Sequence, residues 1–367
     1  MREFLDGNAA VVRGALAAGC TFFAGYPITP ASGILMAMMR ELPARGGVAI
    51  QGEDEIASIG MCIGAAMTGA RAMTATSGPG ISLYSENIGL AIMGEVPLVI
   101  VDVQRLGPAT GGATTVGQGD VQFVRWGTSG GYPIIALAPS SVLECYTVTA
   151  RAFELAERFR SPVFVLTDKE LAMTLTTVEA AALEPIEVPP RHLAATGAPY
   201  RFEPASEVAP MHAYGAGDPV RFTGSTHDVA ARITKDPAAI DALNRHLEAK
   251  IADHLDELVI ADADLQPGAG TLVVSYGVTA GAAREAVARA RAAGRAASGL
   301  VVQSLWPVPE AALREAMAGV DRVVVPELNL GQYRLEIERL AGPRQVVGVN
   351  RVDGELIGVE RIMEAMR

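Results

Sequence analysis

Gly25-Tyr26-Pro27-Ile28-Thr29-Pro30, Glu53-Asp54-Glu55-Ile56-Ala57-Ser58, Ser77-Gly78-Pro79-Gly80 and Gln104-Arg105 are the four short blocks that decide the fold. Each follows an apolar run, at 21–24, 48–51, 71–76 and 97–103, that reads as a buried strand. Buried strands alternating with helical stretches build parallel sheets. Open α/β sheets bind ligands beyond the carboxyl ends of their strands, so all four blocks point to one crevice. The stretch 25–105 contains no histidine. Proton transfer there needs another agent, and an organic cofactor supplies one.

Around these blocks, 8–18, 31–42, 55–69 and 87–94 read as helices, the third dense in Gly, Ala and Ser. Residues 107–119, rich in Gly, Thr and Pro, read as a long functional loop. A helix over 140–159 is capped by Ser140 or Ser141, and 162–168 reads as the last strand of the unit. The first α/β domain therefore covers 1–175. Across 176–260 the periodicity dissolves. Pro189-Pro190, Pro199, Pro204, Pro210 and Pro219 mark an extended surface connector from Pro185 onward, followed by a charged amphipathic helix over 238–258. A second α/β unit fills 261–367, with strands at 271–276, 299–303, 322–326 and 345–349. Its helices fall at 279–293, 310–317, 330–340 and 355–366.

The chain of 367 residues is 50% hydrophobic but only 5% aromatic, which suits close helix-on-sheet packing better than an all-β sandwich. A net charge of −11 without any basic block argues against nucleic-acid binding. Cys20, Cys62 and Cys145 form no CxxC pair. That argues against a zinc or iron–sulfur site in this chain, and against a disulfide framework. A reducing cytoplasm fits. The opening Met1-Arg2-Glu3-Phe4-Leu5-Asp6 does not start a signal peptide. The longest apolar run, 88–101, is broken by Glu95 and Pro97 and is too short to span a bilayer.

Each candidate residue carries two readings. Glu55 is either a helix-start acid favoured by the macrodipole or a carboxylate offered to a crevice, where it shares a proton with a heterocyclic nitrogen. The prolines around Thr29 make a rigid turn, and the same rigidity can aim the Thr29 hydroxyl at a ligand. Ser77-Gly78-Pro79-Gly80 reads as a tight turn and lacks the Lys of a phosphate loop. Arg105 is either a salt-bridge partner of Asp102 or a planar fork for a carboxylate. Four of the five histidines read as surface or partly buried polar residues, while His227 lies in a segment that folds back over a site. Met36, Met38 and Met39 read as core.

As an ordered set, these blocks resemble the α subunits of the 2-oxoacid:ferredoxin oxidoreductases, most of all the branch acting on 2-oxoglutarate. Glu86-Asn87-Ile88-Gly89, Gln118-Gly119-Asp120 and Arg125-Trp126-Gly127 add to the likeness. The resemblance implies a pyrimidine-type thiamine diphosphate domain followed by a transketolase C-terminal-like domain. It implies that Pro27, Ile28, Thr29, Glu55, Ser77, Gly78 and Asn87 line the cofactor, with Glu55 on the aminopyrimidine, and that Thr29 and Arg105 hold the 2-oxoacid carboxylate. It further implies coenzyme A as co-substrate and a β subunit carrying the diphosphate–Mg2+ site and a [4Fe-4S] cluster, since no metal ligands are expected here. Possible γ and δ subunits, ferredoxin as acceptor and an (αβ)2 or larger assembly complete the expectation. A branched-chain 2-oxoacid or pyruvate as substrate, and a non-catalytic structural subunit, remain the alternatives. After His227-Asp228, where the family carries an acidic residue and a Gly, this chain has Val229-Ala230-Ala231, which leaves His227 without an assigned role.

Overall fold

A computed structural model describes residues 2–183, 186–194, 196–216 and 219–367; Met1 and Pro185, which bound two expected segments, lie outside the described residues. The first half contains β1 (Arg2–Leu5), α1 (Gly7–Ala17), β2 (Phe22–Gly25), α2 (Ser32–Glu41), β3 (Val48–Gln51), α3 (Glu55–Met67), β4 (Ala72–Thr76), α4 (Gly78–Leu83), α5 (Ser85–Met93) and β5 (Leu98–Gln104). It continues with α6 (Val121–Trp126), β6 (Ile135–Leu137), α7 (Val142–Phe159), β7 (Pro162–Asp168), α8 (Lys169–Met173) and β8 (Thr176–Glu179). The second half contains α9 (Pro237–Ala252), α10 (Leu255–Leu258), β9 (Ala261–Asp264), β10 (Thr271–Ser275), α11 (Thr279–Ala292), β11 (Ala297–Val302), β12 (Ser304–Trp306), α12 (Glu310–Ala316), β13 (Arg322–Glu327), α13 (Arg334–Ala341), β14 (Gln345–Asn350) and α14 (Val359–Ala365).

Two sheets carry the molecule. The first runs β12-β6-β7-β5-β4-β2-β3 and the second β14-β13-β10-β11-β9. The four strands that precede the quoted blocks are parallel neighbours. β5 is buried along its whole length because helices cover both faces, as its unbroken apolar run requires. Asp54 starts α3 by accepting a hydrogen bond from the Ala57 N–H at 2.7 Å, and Ser141, not Ser140, starts α7 in the same way through Glu144 N.

Several expectations change. β7 is the last strand that the first half of the chain adds to the large sheet, but β12, drawn from the second half, joins that sheet and closes its edge antiparallel to β6. One hydrophobic cluster therefore runs from Ile59 and Ile100 through Trp306 to Val323 and Tyr333, across both sheets. Ser77-Gly78-Pro79-Gly80 opens α4 rather than forming an isolated turn. The helix expected over 238–258 breaks after Ala252 into α9 and α10, and those expected from 330 and 355 start at Arg334 and Val359. Only Met38 of the three methionines is core; Met36 is 65% and Met39 40% exposed.

The connector is not a surface coil either. Tyr200, Met211, Ala213 and His227 are buried. Arg191 donates to the carbonyls of Ala66 at 2.7 Å and Ala70 at 3.0 Å and forks onto Glu157. His212 and His246 are buried as well, while His192 is exposed and His254 half-buried, so two of the four histidines expected as surface or partly buried residues sit inside.

Candidate functional site

Parallel pairing brings the strand-end blocks to one edge, and the distances there are short. Arg105, at the end of β5, is 5% exposed. It donates from Nη1 to the Thr29 carbonyl at 2.6 Å and from Nη2 to the Thr110 carbonyl at 2.8 Å. Its Nε is buried without a partner, and the expected salt bridge to Asp102 is absent among the described residues. The turn from Tyr26 to Pro30 is thus tied to β5 through backbone, and the Thr29 hydroxyl makes no hydrogen bond to any described residue.

A cleft of about 610 Å3 opens at this edge. Gly78, Pro79, Arg105 and Asp120 wall one side, and Leu328, Asn329 and Gln332 from the second sheet's loops wall the other. The seam is hydrogen-bonded throughout. Gln118 N donates to Leu328 O at 2.9 Å, Leu328 N donates to Gln118 Oε1 at 3.1 Å, and Asn329 Nδ2 donates to Gln118 O at 2.7 Å. Gln332 Nε2 donates to Gly119 O at 2.7 Å. Gln118-Gly119-Asp120 is therefore the piece of the first domain that the second domain holds in place.

Glu55 stands one step along from the cleft wall, against Gly80. It is 7% exposed, and no hydrogen bond or ion pair joins its carboxylate to a described residue. A Cβ on Gly80 would lie 2.8 Å from Glu55 Oε1 and would collide with the Thr76 hydroxyl. Ser77 Oγ and Thr76 Oγ1 are buried beside it without partners. Both Glu55 oxygens keep some access to solvent, so the carboxylate is open to a donor from outside the chain.

Of the residues expected at a cofactor or substrate, Arg105 and Gly78 line the cleft, Thr29 reaches it through its carbonyl, and Glu55 and Ser77 lie behind its wall. Pro27 is exposed on the turn, while Ile28 and Asn87 are half-buried and do not line the cleft. His227 is elsewhere: its ring nitrogens face the carbonyls of Asp228 at 3.0 Å and Met93 at 3.3 Å. A second cavity of about 930 Å3, between Arg125, Trp126, Trp306 and Arg339, gathers none of the expected site residues.

Two carboxylates of the site went unread. Asp102, inside β5, is fully buried; burial pushes its carboxyl well above the usual range, and the charge and hydrogen bond of Asp120 add to this. Asp120 is pushed up to about 6 by burial, against the opposing pull of its hydrogen bond with Asp102 and the Arg105 charge. No group of three or more His, Cys, Asp or Glu side chains able to hold a metal ion occurs among the described residues. No helix of the described residues is long and apolar enough to cross a membrane. Burial raises the thiols of Cys20 and Cys145 to about 12.

Two parallel-sheet domains with a strand-end cleft on their seam define an α/β ligand-binding protein. The family described as "Pyruvate flavodoxin/ferredoxin oxidoreductase, thiamine diP-bdg" matches residues 13–242, and "Pyruvate:ferredoxin oxidoreductase core domain II" matches 269–362. The 2-oxoglutarate synthase subunit KorA of Methanothermobacter marburgensis is 41% identical, over 98% of this chain and 97% of its own. That of Methanocaldococcus jannaschii is 42% identical over 99% of each. The ketoisovalerate oxidoreductase subunit VorB of Methanothermobacter thermautotrophicus is 37% identical over 100% of this chain and 97% of its own. Among solved structures, the 2-oxoglutarate:ferredoxin oxidoreductase of Magnetococcus marinus, with 2-oxoglutarate, coenzyme A and succinyl-CoA bound, superposes with a TM-score of 0.94 at 32% identity. That match covers 100% of this chain but 65% of the solved one. A split-gene transketolase at 14% identity and a TM-score of 0.54 shares the fold. The chain belongs to the pyruvate flavodoxin/ferredoxin oxidoreductase family.

Proposed function

We propose that this chain is the α subunit of a 2-oxoglutarate synthase, in which 2-oxoglutarate and coenzyme A become succinyl-CoA and CO2 and the electrons pass to ferredoxin. The observation that carries the reading is Glu55, a largely buried side chain whose carboxylate meets no donor among the described residues and stays open beside Gly80. The aminopyrimidine of thiamine diphosphate fits that vacancy in chemistry, because a ring N–H is the missing donor. When bound, thiamine diphosphate supplies the carbon nucleophile that decarboxylation of a 2-oxoacid needs. Glu55 holds the proton at the pyrimidine nitrogen. Arg105, fixed by the Thr29 and Thr110 carbonyls, presents its charge to the substrate carboxylate. The Thr29 hydroxyl adds a second contact, and the seam between the domains keeps water from the reacting end. Identity to the two 2-oxoglutarate synthase subunits from Methanothermobacter marburgensis and Methanocaldococcus jannaschii, 41% and 42%, exceeds the 37% to the ketoisovalerate subunit, which supports 2-oxoglutarate over a branched-chain acid.

The diphosphate, its Mg2+ and the iron–sulfur cluster belong to a β partner in this reading, with γ and δ subunits where present, in a cytoplasmic (αβ)2 or larger assembly. The edge strand β3 and its neighbours leave Met36, Met39, Val48 and Ile56 exposed. An uncovered edge strand beside large apolar side chains is what a partner chain covers. In the assembled enzyme, Glu55→Gln lowers kcat on the order of 10²–10⁴-fold, with subunit stoichiometry intact, in a viologen-reduction assay across a panel of 2-oxoacids. Wild-type turnover in that variant ends the assignment of Glu55. Preference for pyruvate or a branched-chain acid in the panel replaces the substrate.

A further inference from the structure

The wall of the cleft contains a contact that ordinary ionisation does not allow. Asp120 is seated beside the strand that carries Asp102: its N–H is held by Gln104 Oε1 at 3.2 Å, two residues along the same face of β5, and the two carboxylates act on each other's charge. Both oxygens of Asp102, and Oδ2 of Asp120, are buried with no donor from any N–H or hydroxyl among the described residues. Two ionised carboxylates have only acceptors and repel; a carboxylic acid facing a carboxylate has one donor and is bound. The surroundings add a single charge. Arg105, from the end of β5, acts on Asp120. Gly78 at the start of α4 packs against Asp120 Oδ2 and is uncharged, and the Asp120 N–H donates to the neutral side chain of Gln104 at 3.2 Å. Across the cleft stand Asn329 and Gln332, neutral as well.

We infer that Asp102 and Asp120 share one proton and act as positioning residues, setting the net charge that Arg105 presents to an anionic 2-oxoacid. With the proton in place, one negative charge stands against the guanidinium. Without it, two do, and the wall turns net negative toward a substrate that is itself a dianion. The inference rests on the reading of Arg105 as the carboxylate binder. It follows that the pair acts on binding more than on turnover: KM for 2-oxoglutarate rises as alkali removes the shared proton, on the order of tenfold for one added charge at this range.

The test uses the assembled enzyme and two readouts. The first is the infrared carbonyl stretch of a buried carboxylic acid, expected in the wild type at neutral pH, shifted in D2O, and lost in Asp102→Asn. The second is KM for 2-oxoglutarate against pH. An amide at position 102 donates to Asp120 at every pH, so the alkaline rise in KM seen in the wild type disappears in Asp102→Asn. A wild type without the infrared band has no shared proton, and the inference fails. A band that is present, with the same alkaline rise in Asp102→Asn, removes the positioning role. Should Asp102→Asn not assemble, alkaline titration of the wild-type band decides the matter by coinciding with the KM rise or not. Arg105→Lys with an unchanged KM would overturn the carboxylate-binder reading on its own, while the infrared band stays as it was.

Discussion

Arg105 shows how much one side chain can be asked to do. Its guanidinium carries five donors in a rigid fork, and only two are used inside the chain, on Thr29 O and Thr110 O. A charged group that is 5% exposed and lines the cleft suits the proposed role of anion binder. Lysine cannot reproduce the fork, so Arg105→Lys loses at least one backbone tie. Hydrogen bonds to charged groups contribute about 1.5–3 kcal/mol, which places the expected rise in KM for 2-oxoglutarate at about 10–100-fold, with a smaller change in kcat. Steady-state kinetics with 2-oxoglutarate and pyruvate check it; an unchanged KM would remove Arg105 from substrate binding. The placement of Arg105 and Glu55 near the strand-end edge was legible in the sequence, because each follows an apolar strand within a few residues. Asp102 was not, because an acid inside a strand reads as a salt-bridge partner, and nothing linear connects it to Asp120 on a later loop.

Among the elements, α4 is where local sequence and site geometry meet. Its first residues approach Glu55 and Thr76 so closely that only glycine fits at position 80. Gly80→Ala places a methyl 2.8 Å from Glu55 Oε1 and against the Thr76 hydroxyl. Overpacking of this kind costs about 1–3 kcal/mol, and it displaces the carboxylate to which the proposed function assigns the pyrimidine proton. Gly64 in α3 is the control: a Cβ there meets nothing within 4 Å, so Gly64→Ala gains about 0.5–1 kcal/mol from helix propensity. Denaturant titration should therefore move the two variants in opposite directions, and activity should fall only for Gly80→Ala. Equal stability changes would show that Gly80 is not sterically required. The long parallel strands were legible from their apolar runs. β12, with three residues, and the antiparallel pair of β1 and β8 were not. Strands so short carry no period of their own, and they form because a partner strand already stands beside them.

At the scale of the whole molecule, the connector was misread because it is fastened by polar ties and not by a periodic apolar face. Its strongest anchor lies where α9 meets the start of β5. Glu95 is 1% exposed and accepts hydrogen bonds from His246 Nε2 and Lys250 Nζ, both at 3.0 Å. Lys250 also donates to the Arg160 carbonyl at 3.1 Å, and Phe202 stacks on His246 with ring centroids 4.0 Å apart. Burial by itself would raise the Glu95 carboxyl, but Lys250, Arg160 and His246 outweigh it and hold the group well below its ordinary value. A depressed acid contributes stability that is fully present above the unfolded carboxylate range and is lost as pH falls through the folded value. Glu95→Gln removes the anion and leaves buried cations uncompensated, at a cost of about 3–5 kcal/mol near neutrality. The gap between wild type and variant then narrows steadily as the solution is acidified past the carboxylate range, because the wild type alone has this proton to gain. Urea midpoints measured from neutral pH downward test the sign directly. A gap that stays constant would mean that Glu95 titrates alike in the folded and unfolded chain, and the fastening of α9 to the first domain would then rest on packing alone.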